Sequence, residues 1–116
     1  MKKIFVPNRG CHDLSGAKEF GELVYMSEGP INRYAVSRIY REFIYHLCDS
    51  KPEDYILVTG LTVMVGIAMA ILSRMHGRVN LLLYKVTRKP GNNDNGRYLE
   101  RTIMVDELLK TKGEEK

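Results

Sequence analysis

The chain reads as an α/β protein: a minimal Rossmann-like three-layer sandwich with a mostly parallel sheet and an antiparallel C-terminal edge strand. Three observations predict it. Short apolar runs at residues 3–6, 23–26, 55–58 and 79–86 alternate with helix-length segments at 14–20, 30–48 and 62–75, the order that right-handed crossovers lay out as parallel strands with helices on the sheet faces. The strand runs are continuously apolar, as befits burial on both faces, whereas residues 97–103 alternate charged and apolar. A chain of 116 residues, 44% hydrophobic and 28% charged, holds one domain with one core.

Each element follows from local chemistry. Lys3-Ile4-Phe5-Val6 is stopped by Pro7-Asn8, and Leu23-Val24-Tyr25-Met26 by Ser27-Glu28-Gly29-Pro30. Between them, residues 14–20 suffice for two helical turns, with Asp13 or Ser15 as N-cap and Gly21 just past the end. Pro30 suits the first position of a helix that runs to about Cys48, before Pro52. On its wheel Ala35, Val36, Ile39, Phe43 and Leu47 form the core face, and Tyr34, Arg38, Arg41 and Tyr45 an opposite, solvated one.

Residues 55–73 carry no charge and approach the length of a bilayer span. Strand composition at 55–58 and the Thr59-Gly60 turn signal divide them instead into a buried strand, a tight turn and a buried helix over 62–75. That helix is apolar nearly all round, so its outer side needs a cover. Gly66, Ala70 and Ser73 form a strip of small residues on which a second copy could close, and a homo-oligomer is expected. The turn-rich Pro90-Gly91-Asn92-Asn93-Asp94-Asn95-Gly96 closes a hairpin between the last two strands. Residues 105–110 add a helical turn to a domain spanning 1–110, and 111–116 read as a disordered tail.

A net charge of +4 and a pI near 9.1 lean toward anionic partners, but the basic excess is small and spread out, which disfavours nucleic acid. Cys11 and Cys48 form no CxxC pair, and the apolar run after Met1-Lys2-Lys3 is too short for a signal peptide. A cytoplasmic chain with no membrane segment and no disulfide framework is expected.

In such a sheet the ligand crevice lies beyond the strand C-termini where the winding reverses, here between the first strand and the strand at 55–58. That brings Asn8, Arg9, Gly10, His12, Asp13 and Ser15 beside Thr59, Gly60 and Thr62. Guanidinium, short polar side chains and flexible backbone at a helix start can hold an anion. Neither GxGxxG nor GxxxxGK[ST] is present, and the bland alternative is a tight turn with a capping Asp13 or Ser15. Cys11 beside His12 lacks an oxyanion device and a third group, so no catalytic residue is assigned. His46 and Cys48, two apart on a helix, diverge by about 200°, so no metal site and no cofactor is assigned from Cys11, His12, His46 and Cys48. His76 sits at a helix end, where it complements the dipole. Tyr25, Tyr55 and Tyr84 fall in strands as half-buried packing with wet hydroxyls.

The run Asn8-Arg9-Gly10-x-His12-Asp13-x-Ser15-x-Ala17-x-x-Phe20-Gly21, Tyr55-Ile56-Leu57 before Leu61-Thr62, Gly77-Arg78-Val79-Asn80-Leu81-Leu82-Leu83-Tyr84, and Gly96-Arg97-Tyr98-x-x-Arg101-Thr102-Ile103 resemble a family of small uncharacterised proteins common among tailed-phage and viral metagenomic sequences. The resemblance implies a cytoplasmic accessory protein made during infection, and it brings no activity or catalytic residue with it. Cys11 stands where the family pattern implies a small residue such as glycine, which counts against a catalytic thiol. The expected function is a non-enzymatic binding protein that holds an anionic small molecule, a nucleotide or nucleotide-derived signal, at the strand C-terminal edge. The alternative is a protein-interaction module acting on a host or phage protein through Tyr34, Arg38, Arg41 and Tyr45.

Overall fold

Five strands form a single sheet in the order β2-β1-β3-β4-β5. The computed structural model describes residues 1–10, 13–87 and 95–107. β1 (Lys3–Val6), β2 (Glu22–Tyr25), β3 (Tyr55–Leu57) and β4 (Val79–Thr87) run parallel, and β5 (Asn95–Ile103) returns antiparallel beside β4. The fold expected from the sequence is the fold observed. β1 and β3 are neighbours with β2 outside β1, so the winding reverses between β1 and β3 as expected.

Period-two alternation sends the central strands' side chains into two cores. Phe5, Ile56, Val79 and Leu81 face α1 (Val36–Leu47) and α2 (Thr62–His76), meeting Ile39, Phe43 and Leu47 of the first helix and Met64, Ala68 and Leu72 of the second. Ile4, Val6, Tyr55, Leu57 and Leu82 face the other way, onto Ala17, Leu14 and Phe20. Both long helices therefore cover one face, and the third layer is a single short 3-10 helix, Ser15–Phe20.

Four local expectations are corrected. The segment after β1 is a 3-10 helix, because six residues are too few for stable α-turns. Its cap position is Leu14, although the Asp13 carboxylate accepts the Ser15 amide at 2.9 Å. The second helix starts at Val36 and not at Pro30. Asn32 diverts the chain: its Oδ1 accepts the Tyr34 amide and its carbonyl accepts the Ala35 amide, a side-chain turn that competes with helix. Val36 was expected in the core but is 48% exposed, because it is the first residue of the helix and no preceding helical turn packs beside it.

The N-terminal edge of the parallel strands is sewn shut with hydrogen bonds. Buried Asp54 accepts the Lys3 amide at 2.9 Å and the Lys51 amide at 2.8 Å. Buried Asn80 donates to the carbonyls of Pro52 and Asp54, and accepts from Arg78 and from the Thr102 hydroxyl. The Tyr55 hydroxyl donates to Glu100, so this strand tyrosine is fully buried and not half-wet. His76 does more than complement a dipole, because its Nε2 lies 2.8 Å from the hydroxyl of buried Ser50. Among the described residues no helix is long and apolar enough to cross a membrane. The expected tail over 111–116 lies outside the described residues, as do 108–110 of the expected turn; Val105, Asp106 and Glu107 form a helical turn.

Candidate functional site at the C-terminal edge

The opposite edge is open. β3 ends at Leu57, where the Val58 amide still reaches Leu82 O at 3.0 Å, and the chain then turns through Thr59-Gly60 into α2. Gly60 has φ +87°, a left-handed conformation that a side chain would resist, so this glycine serves the turn itself. β4 continues past the end of β3 and pairs with β5 alone. There Tyr84 and Tyr98 are directly opposed, their rings edge-to-face at 5.1 Å and 61°.

These pieces enclose a cavity of about 400 Å³ lined by Asp13, Leu14, Leu57, Val58, Thr59, Tyr84 and Tyr98. The lining combines apolar Leu14, Leu57 and Val58 with a carboxylate, a threonine hydroxyl and two phenols. The Asp13 carboxyl is held below the usual carboxylate range, first by the hydrogen bond from the Ser15 amide, then by the Ser15 side chain, with Lys18 adding to it. It is therefore an anionic acceptor at neutral pH. The Tyr98 phenol is pushed up, first by burial and then by Tyr84, Asp13 and Tyr25, so it stays a protonated donor. Gly96 permits the arrangement: a Cβ there would overlap the Tyr84 ring.

The expected site residues are only partly brought together. Asp13 and Thr59 share this cavity, with the Ser15 amide turned onto Asp13. Thr59, Gly60 and Thr62 line a second cavity of about 280 Å³ on the helix side of the same loop, with Val65, Gly66 and Met69. Asn8 is occupied elsewhere, donating from Nδ2 to Gly29 O at 3.1 Å and lying 2.8 Å from the Ser27 hydroxyl. Arg9 lines neither cavity. Its guanidinium stacks 4.5 Å above the Tyr25 ring, and its amide donates to Ser27 O, so it clamps β1 to β2. Gly10 is exposed with open space around it, while Cys11 and His12 lie outside the described residues.

Tyr84, Tyr98, Leu14 and Leu57 were missed. The hairpin register carried a signal for the tyrosine pair, since both flank the Gly/Asn-rich turn and only antiparallel pairing sets them opposite. Of the former metal candidates, His46 packs edge-on against Tyr45 at 5.3 Å and Cys48 donates to Tyr45 O at 3.3 Å. On the far side of the molecule Tyr34 and Tyr45 are 85% and 77% exposed, and Arg38 and Arg41 stand beside them in solvent. Tyr34 belongs to the turn before α1 and not to the helix.

No curated protein and no solved structure matches the chain. A family model does, over residues 2–93, and it spans β1 to β4 with the loops that build the cavity's β1 and β3 sides. The chain belongs to the phage Pam3 gp32-like protein family.

Proposed function

We propose that the chain is a non-enzymatic phage accessory protein of the host cytoplasm that holds a nucleotide or nucleotide-derived small molecule at the C-terminal edge of its sheet. One observation carries this reading: Asp13, Thr59 and the Tyr84–Tyr98 pair converge on one cavity, beside the point where strand order reverses. The sequence alone pointed to phosphate at the loop after β1. The cavity lining argues for the reverse orientation, because its one charged group is a carboxylate that would repel a phosphate. The base end enters, with a tyrosine ring for its face and Asp13 to accept its N–H groups. The phosphate end points outward to Lys18 and Arg9, which line a separate cavity together with Glu22 and Tyr25.

Thermal denaturation with nucleosides, nucleotides and inorganic phosphate tests this. A ligand at about a hundredfold its Kd stabilises the fold by about 2.7 kcal/mol. Nucleosides alone should raise the Tm and inorganic phosphate alone should not. Asp13→Asn keeps an acceptor for the Ser15 amide but loses the charge, and it should cut the shift; Tyr84→Ala should do the same. Arg9→Ala should cut only the increment from phosphate. A panel that leaves the Tm unmoved sinks the proposal.

We also propose a homodimer through α2, favoured by one observation. Gly66 and Ala70 are exposed and Ser73 half-buried, and an added Cβ at Gly66 meets nothing within 4 Å, so the strip is not spent on its own sheet.

A further inference from the structure

The flank of α2 that faces α1 holds a second cavity, of about 430 Å³, walled by Val36, Tyr40 and Ile44 of α1 and Ile67, Ala70 and Ile71 of α2. Part of its apolar lining is wet: Val36 is 48% exposed, Tyr40 49% and Met75 43%. These side chains leave apolar surface open to solvent between the two helices.

The groove is continuous with the basic face of α1. Val36 and Ser37 line both the apolar cavity and a neighbouring one that carries Tyr34, Arg38 and Arg41. Arg74 stands in the groove itself. No carboxylate lines either cavity. The acid of α1, Glu42, is rotated about 160° from Tyr40 at roughly 100° per residue, onto the other side of the helix. The surface is thus an apolar floor with cations along its edge and no anion to pair them.

We propose that this groove docks an amphipathic helix of another protein, with leucine-like anchors on one face and acidic residues flanking them. Charge complementarity selects that occupant. A second copy seated in the same groove about a twofold axis would set Arg38, Arg41 and Arg74 against their own duplicates, a like-charge contact that costs affinity. Length agrees with a helix: Val36 to Ile44 is about 12 Å at roughly 1.5 Å per residue, which matches anchors at i, i+4 and i+7. The site is separate from the edge cavity, so failure of one leaves the other standing; with the dimer strip of α2 it shares Ala70 alone, and Gly66 and Ser73 lie outside it.

The test uses two labelled synthetic peptides of about 14 residues with the same leucine stripe, one flanked by glutamate and one by lysine. Fluorescence anisotropy should show the glutamate peptide binding at least about tenfold tighter, with affinity falling as salt rises. Arg41→Glu combined with Arg74→Glu changes two exposed side chains and should invert the preference, while Tyr40→Glu should abolish binding of both peptides. Circular dichroism checks that each variant keeps the native spectrum. Equal affinity for the two peptides, or no binding by the folded protein, overturns the proposal. So does a homodimer that Tyr40→Glu dissociates, because the groove would then belong to a second copy.

Discussion

Asn80 and Tyr98 show how one residue's surroundings set its role. Asn80 interrupts an otherwise apolar strand, and its amide meets four partners at once. Replacing it with leucine would leave the buried Asp54 carbonyl without its donor and remove three further bonds, so Asn80→Leu should lower unfolding stability by about 2–3 kcal/mol, measured by urea titration. Tyr98 and Tyr55 are pushed above the ordinary tyrosine value, in each case first by burial, with Glu100 adding to the effect at Tyr55. The folded state therefore holds these protons more tightly than the unfolded chain does. Their contribution is whole below about pH 10, the unfolded value, and is lost as pH rises through the higher folded one. Stability should decline on the alkaline side, and Tyr98→Phe and Tyr55→Phe should each flatten that decline. An alkaline limb identical in both variants and the parent would falsify the assignment.

At the scale of elements, the hairpin and the second helix decide what the edge can hold. β4 and β5 each run nine residues against three in β3, so their upper halves project past the sheet as a two-stranded arm. Arg97 and Arg101, both exposed, put charge along edge strand β5, a common guard against edge-to-edge pairing. The Tyr84 ring fits only because Gly96 has no side chain. Gly96→Val should drive the ring off its place at a cost of about 1–3 kcal/mol. It should also change the near-ultraviolet tyrosine signal and reduce any nucleoside-induced shift in Tm. In α1 the Asn32 turn removes the first helical turn expected after Pro30, so Val36 stands at the open end of the helix, 48% exposed.

Across the whole molecule the two edges of the sheet divide the labour. The N-terminal edge spends its polar groups on Asp54 and Asn80, while the C-terminal edge leaves Asp13, Thr59 and the tyrosines facing open space. The outer side of α2 adds a third surface, with Gly66 and Ala70 uncovered. Gly66→Leu places a bulky side chain where two backbones would have to meet, and it should dissociate the homodimer, whereas Lys112→Ala should change nothing. Size exclusion with light scattering reads the result; a monodisperse 13.3 kDa parent at high micromolar concentration removes the dimer from the account.

Architecture was legible in the sequence because it rests on periodicity and punctuation. Continuous apolar runs marked the parallel strands, the alternation at 97–103 marked the antiparallel edge, and the reversal of winding was placed between β1 and β3; the full strand order came only with the structure. Local signals also placed the Thr59-Gly60 turn and put Asp13 beside it. What the arginine does was not legible. Arg9 sits in a loop that composition reads as anion-binding, yet Tyr25 of the neighbouring strand offers its ring face and takes the guanidinium away from the crevice. The cavity's aromatic wall was hidden for the same reason, since Tyr84 and Tyr98 meet only through β-pairing across the hairpin. Side-chain identity is local, but the partner that satisfies a guanidinium or a ring comes from a distant part of the chain, and only tertiary packing chooses it.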